Sequence, residues 1–170
     1  MPTAQRGAES IHIDAPPELV YDLITDVTRM GEWSPETYRC EWLDGATTTS
    51  PGARFRGHNR MGRIRWQRTA VVDRAERGCE FAFTTVDDRT GRWETQWRYT
   101  LQPTETGTTE TGTTEAGTLL TESFEFLWCS LANRATELFV PRGRQMDRGI
   151  HKTLQRIKAA AETLHATQRG

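Results

Sequence analysis

Residues 92–101 alternate without a break between two kinds of side chain, and this run constrains the fold more than any other. Trp93, Thr95, Trp97, Tyr99 and Leu101 fall on one side of an extended strand. Arg92, Glu94, Gln96, Arg98 and Thr100 fall on the other, because successive side chains point to opposite faces. Such a strand belongs to an antiparallel sheet with one covered face and one wet face. The covered side carries large rings and a hydroxyl, so what lies over it decides what the protein does.

The rest of the chain supplies partners for that strand. Ser10-Ile11-His12-Ile13-Asp14-Ala15 alternates as a first strand and Pro16-Pro17 ends it, with Pro17 suited to the start of a helix. Leu19, Val20, Leu23 and Ile24 then repeat at helical spacing. Asp26 is a candidate N-cap for a second short turn over 27–33, closed by Pro35. Strands follow at 37–43 (Tyr38, Cys40 and Trp42 together) and 54–60 (Phe55, Gly57 and Asn59 inward). The next lie at 64–73 (Ile64, Trp66, Arg68, Ala70 and Val72 inward) and 80–85 (Phe81, Phe83 and Thr85 inward). The last covers 118–128, with Leu120, Glu122, Phe124 and Phe126 on one face. Turn residues between them, including Met61-Gly62 and Asp87-Asp88-Arg89-Thr90-Gly91, predict a meander.

Two regions differ in texture. The string Thr104-Glu105-Thr106-Gly107-Thr108 repeats at 109–113 and, with Ala116, at 114–118. It is expected as a lengthened hairpin loop, since closure entropy grows slowly with length. At the C-terminus Met146, Ile150, Leu154, Ile157, Ala161 and Leu164 step by three and four, an apolar stripe on a helix of about six turns. A shorter helical pattern at 131–140 precedes it, broken at 141–143. The expected organisation is a tail at 1–9, one domain over 10–166 and a tail at 167–170. A chain of 170 residues suits one domain that buries roughly 70% of its unfolded surface.

With 22 Lys and Arg against 23 Asp and Glu, the net charge of −1 argues against a general nucleic-acid binder. No apolar run is long enough for a membrane span, and no signal-peptide core follows residues 1–7, so a cytoplasmic location is expected. Cys40, Cys79 and Cys129 read as buried thiols in a reducing compartment. His12, His58, His151 and His165 show no metal-ligand spacing, so neither a metal nor a cofactor is expected.

The order of strand, two short helices, six strands and long helix resembles the helix-grip fold of the START-like, pollen-allergen-like (SRPBCC) superfamily. It is closest to the polyketide cyclase/dehydrase and lipid-transport branch. Four strings carry the resemblance: Ala15-Pro16-Pro17-Glu18-Leu19-Val20-Tyr21-Asp22, Met30-Gly31-Glu32-Trp33-Ser34-Pro35-Glu36, Gly52-Ala53-Arg54-Phe55-Arg56-Gly57-His58-Asn59-Arg60 and Thr121-Glu122-Ser123. The likeness spans about 10–164. It implies an α+β fold in which a seven-stranded curved antiparallel sheet wraps the C-terminal helix and leaves an apolar pocket between them.

Residues of inward phase suit such a pocket. Trp66, Phe81, Phe83, Trp93, Trp97, Phe124 and Phe126 form an aromatic wall, which either lines a cavity or fills a solid core. Asn59, Arg68, Thr85, Thr95 and Glu122 add polar groups to the same face. A buried charge needs a partner, so Arg68 and Glu122 either orient a ligand, form an internal ion pair, or are turned outward by a bulge. In meander order their strands lie three places apart, roughly 14 Å. The expected ligand contacts are Trp33, Asn59, Trp66, Arg68, Phe81, Phe83, Trp93, Thr95, Trp97, Glu122, Phe124, Met146 and Ile150. Met146 and Ile150 would form a movable lid with the turns around Trp33. His58 reads as a solvated histidine, and Tyr38 and Tyr99 either face the pocket, where they could donate a proton, or, as is commoner for such rings, bridge core and solvent.

The expected function is a carrier or sensor, monomeric or homodimeric, that binds an apolar small molecule such as a lipid, sterol-like compound or polyketide. The alternative is a polyketide aromatase/cyclase in which Arg68 polarises a carbonyl and Glu122 moves a proton.

Overall fold

A computed structural model describes residues 6–108, 114–127 and 142–170. The expectations for Trp128, Cys129, the helical pattern at 131–140 and the middle of the threonine-rich repeat lie outside those residues.

Strand β1 (Arg6–Ile13) leads into helix α1 (Pro17–Thr25), a 3-10 turn (Val27–Arg29) and helix α2 (Met30–Trp33). Strands β2 (Thr37–Trp42), β3 (Arg54–Met61), β4 (Ile64–Glu76), β5 (Glu80–Val86), β6 (Trp93–Thr108) and β7 (Thr114–Phe126) follow, then helix α3 (Arg142–Arg169). The seven strands form one sheet in the order β1-β7-β6-β5-β4-β3-β2, with every neighbouring pair antiparallel. The meander read from the turn signals is therefore correct, and β1 closes it by pairing with the last strand.

Local chemistry sets the element ends. Pro17 opens α1, where its missing N–H costs nothing. Asp26 caps the next turn, its Oδ1 accepting from the Thr28 amide at 3.2 Å and the Thr28 hydroxyl at 2.5 Å. Gly31 brings α2 against β2: a Cβ there would sit 2.6 Å from the Tyr38 carbonyl oxygen, so only glycine permits the approach. Asp87 organises the β5–β6 turn by accepting from the Arg89 and Thr90 amides at 3.0 and 2.7 Å.

The stripe on α3 faces the sheet through Met146, Ile150, Leu154, Ile157 and Ala161, all buried. It ends one step early, because Leu164 is exposed beyond the edge of the core. Lys158 donates to the His12 carbonyl at 2.7 Å and Glu162 accepts from the Asp14 amide at 2.9 Å, fixing α3 to the end of β1. Ile13, Ala15, Val20, Ile24 and Val27 fill that end of the molecule. At the other end, around Trp33 and the first half of α3, the described residues enclose a cavity instead of a packed core.

Several readings change. Strand β1 begins at Arg6, inside the expected tail, and α3 runs on to Arg169. The threonine-rich repeat lengthens the β6–β7 hairpin as expected, but its described residues are paired strand rather than loop: Pro103↔Thr118, Thr104↔Gly117, Glu105↔Ala116 and Thr108↔Thr114 continue the ladder. Threonine is β-branched and suits a pleated ribbon even where nothing apolar can be buried. Cys40 is buried as expected, but Cys79 is exposed because it sits in the β4–β5 turn, where its amide closes onto the Glu76 carbonyl.

Candidate functional site

A cavity of about 1000 Å³ opens between the concave face of β3–β7, the turn through Trp33-Ser34-Pro35 and the first half of α3. Alternation along each strand delivers the lining: Phe55, Gly57 and Asn59 from β3, and Ile64, Trp66, Arg68 and Ala70 from β4. Strands β5 to β7 add Phe83 and Thr85, then Thr95, Trp97 and Tyr99, then Glu122 and Phe126. Met146 and Ile150 come from α3 one turn apart, as the four-residue step requires.

Ten of the thirteen expected contacts are therefore brought together: Trp33, Asn59, Trp66, Arg68, Phe83, Thr95, Trp97, Glu122, Met146 and Ile150. Phe81 shares the inward phase but lies deeper, fully buried and stacked on Tyr99 with centroids 6.2 Å apart. Phe124 is held against its cross-strand partner Gly7, where a Cβ would meet the ring at 2.6 Å, and packs between Trp97 and Phe126. Trp93 is 48% exposed and does not face the cavity.

The reason for the Trp93 error is a β-bulge. Trp93 pairs with Val86 and Thr95 with Thr85, so Glu94 is an extra residue in β6 and the alternation of 92–101 breaks there. The bulge turns Trp93 out and Glu94 in. Beside the bulge, the Thr95 amide donates to the Thr85 hydroxyl at 3.2 Å. A second bulge, between Thr37 and Arg39, turns Tyr38 outward and leaves Thr37 facing Asn59. The Thr37 hydroxyl donates to Asn59 Oδ1 at 2.6 Å, fixing that amide at the cavity wall.

Glu94 supplies the partner that Arg68 needs: Arg68 Nε lies 2.8 Å from Glu94 Oε2. The guanidinium also donates to the Gln67 carbonyl at 2.9 Å. Arg68 and Glu122 thus both line the cavity without pairing to each other, across the β7-β6-β5-β4 separation that the meander imposes.

Glu122 is 3% exposed, and its partner is Tyr99, the residue directly opposite on β6. The Tyr99 hydroxyl donates to Glu122 Oε1 at 2.8 Å, while Oε2 has no hydrogen-bond partner among the described residues. Burial pushes the Glu122 carboxyl up to about 8; the Tyr99 hydrogen bond opposes this and the Glu9 charge on β1 adds to it. Burial and the same carboxyl hold the Tyr99 phenol well above its usual value. At neutral pH the pair is a carboxylic acid beside a phenol, so the deep end of the cavity is polar and uncharged. Tyr99 is therefore a buried member of the site rather than a ring bridging core and solvent.

His58 lies on the outer face as its phase requires, but it is not merely solvated. It sits 2.9 Å from Glu41 and 3.2 Å from Gln67, and its hydrogen bond holds the Glu41 carboxyl below the usual range. Among the described residues no cluster of three or more His, Cys, Asp or Glu side chains is placed to hold a metal. Phe55 and Phe126 were legible as inward residues, whereas nothing in the residue pattern pointed to Glu94.

A seven-stranded antiparallel sheet curved around a long C-terminal helix, with short helices after the first strand, defines the helix-grip fold of the START-like superfamily. The chain belongs to the polyketide cyclase / dehydrase and lipid transport family, which matches residues 4–162. A polyketide-cyclase-like protein from Corynebacterium glutamicum, solved in solution, is 30% identical over 95% of this chain and 94% of its own, with a TM-score of 0.60. The ZhuI aromatase/cyclase from Streptomyces sp. R1128 shares the fold at 15% identity, covering 94% of each chain with a TM-score of 0.62. A START superfamily protein from Mycobacterium smegmatis does so at 15% identity, over 96% of this chain and 98% of its own, with a TM-score of 0.61. No curated protein matched the sequence.

Proposed function

We propose that the protein is a carrier or sensor for an apolar small molecule that bears uncharged oxygen groups, such as a sterol-like, fatty alcohol or polyketide-derived compound. Desolvation of the ligand against Trp66, Phe83, Trp97 and Phe126 drives binding, at roughly 25 cal/mol per Å² of apolar surface removed from water. The turn carrying Trp33 and the α3 residues Met146 and Ile150 act as the lid.

One observation carries the choice of ligand: among the described residues, the charged groups on the inner sheet wall of the cavity, Arg68 with Glu94 and Glu122 with Tyr99, are answered from within. Arg68 is held by Glu94 at 2.8 Å, and Glu122 keeps its proton beside Tyr99. On that inner wall a ligand carboxylate would find no unpaired cation among the described residues and would lie against an acid that resists ionising. A ketone or hydroxyl meets the Glu122 proton, the Asn59 amide and the Thr95 hydroxyl. Displacement of the neutral dye Nile red tests this at pH 7. A long-chain 2-ketone or alcohol displaces the dye at lower concentration than the fatty acid of equal length, and native mass spectrometry finds a neutral molecule in fresh preparations. Absence of dye binding and of any thermal shift refutes the cavity reading; tighter binding of the fatty acid refutes the ligand class.

The Tyr99–Glu122 pair also supports a second reading, the aromatase/cyclase. A buried acid with a pKa of about 8 is poised for proton transfer near neutrality. Holding a flexible poly-β-ketone in one conformer would supply the rest of the rate effect. Conversion of a reactive poly-β-ketone to a different product by the native protein, but not by Glu122→Gln, selects this reading over simple carriage.

A further inference from the structure

The β3–β4 hairpin has chemistry that the cavity does not use. Its tip reads Arg60-Met61-Gly62-Arg63-Ile64-Arg65, turning at Gly62 with φ of +59°. Met61 pairs with Ile64 and Arg60 with Arg65 across the ladder. Ile64 is 61% exposed, more than any other large apolar side chain among the described residues. Like charges directly opposite on a ladder repel, so the Arg60–Arg65 pair disfavours the isolated hairpin unless an anion lies nearby. None of Arg60, Arg63 or Arg65 has an acidic partner among the described residues; Arg60 packs instead over the outward Tyr38 ring at 5.6 Å.

This tip borders the mouth of the cavity. Arg60, Met61, Gly62 and Ile64 line it from one side, and Arg148 and Lys152 from α3 line it from the other. Arg148 and Lys152 are exposed and likewise lack an acidic partner among the described residues. Among the described residues that line this rim, the carboxylate is Glu36, partly buried, against three basic groups, Arg60, Arg148 and Lys152, with Arg63 and Arg65 exposed on the adjoining tip.

We propose that this face docks the cavity mouth onto an anionic lipid bilayer. Ile64 and Met61 enter the interface, Tyr38 lies at headgroup depth, and Arg60, Arg63, Arg65, Arg148 and Lys152 meet the lipid phosphates. An apolar tip ringed by bases matches a surface that is apolar below and anionic above. A soluble anion would engage the bases but gain nothing from Ile64, and that difference decides for the bilayer. The contact lets an apolar ligand pass between bilayer and cavity without crossing water. In that part it rests on the ligand reading, whereas docking itself does not.

Flotation with vesicles tests it. The protein floats with phosphatidylcholine–phosphatidylglycerol vesicles and not with phosphatidylcholine alone, and binding weakens as salt is raised. Arg63→Gln/Arg65→Gln lowers binding by roughly tenfold or more, as the loss of two bases near an anionic surface predicts. Ile64→Ser also lowers it, with an unchanged thermal midpoint showing that the fold is intact. Arg63 and Arg65 do not line the cavity, so Nile red binding by their variant in the absence of vesicles stays at the native level. No flotation with anionic vesicles overturns the proposal even if the dye binds. Displacement by inorganic phosphate at constant ionic strength, or indifference to Ile64→Ser, also overturns it and assigns the patch to soluble anions or an acidic protein surface.

Discussion

Replacing Glu122 with Gln removes one titration and little else, since Gln matches the protonated acid in shape. In the folded protein the carboxyl ionises near 8, against an ordinary value of 4.5. The proton is therefore held more tightly by the folded chain than by the unfolded one. Between these two values the unfolded state is ionised and the folded state is not, so stability falls as pH rises across the window and levels off above it. The stabilising effect of the raised pKa is complete below about 4.5 and lost by about 8. At about 1.4 kcal/mol per pKa unit, the native protein should lose roughly 3 kcal/mol more than Glu122→Gln between pH 5 and pH 7.5. Urea unfolding of both proteins at a series of pH values measures this. Every other titrating group contributes equally to both curves and cancels in their difference. Parallel curves across the window would show that Glu122 ionises normally, and the uncharged deep cavity would fall with it.

Three further perturbations test other parts of the account. Phe81→Ala should cost roughly 3–5 kcal/mol because the ring is fully buried, whereas Trp93→Ala should stay within about 0.5 kcal/mol; chemical denaturation ranks the two. Glu94→Gln frees the half-exposed Arg68 guanidinium, so the affinity for a long-chain carboxylate should rise on the order of tenfold while that for the matching ketone holds, read by dye displacement. Asp26→Ala removes the acceptor for the Thr28 amide and should cost about 1 kcal/mol in thermal unfolding without altering dye binding.

How far the sequence reaches can be judged residue by residue. The one-sided phase of β3 to β7 placed Asn59, Trp66, Arg68, Phe83, Thr95, Trp97 and Glu122 on the correct face, because side-chain direction in a strand follows from backbone geometry alone. The step of four on α3 found Met146 and Ile150 in the same way. The turn residues determined the meander, and with it the distance that keeps Arg68 from Glu122.

Tertiary structure decided what period cannot encode. A bulge inserts one residue without leaving a mark on composition, so Trp93 and Glu94 exchanged faces and Arg68 gained a partner that nothing in the sequence announced. Depth is equally invisible: Phe81, Phe83 and Phe124 share a phase, yet only Phe83 reaches the cavity, since curvature and the space above Gly7 place the other two. Whether Glu122 carries a charge was also undecidable from its identity. Desolvation sets the proton affinity of a carboxyl, and desolvation exists only once Tyr99 and the surrounding strands have closed over it.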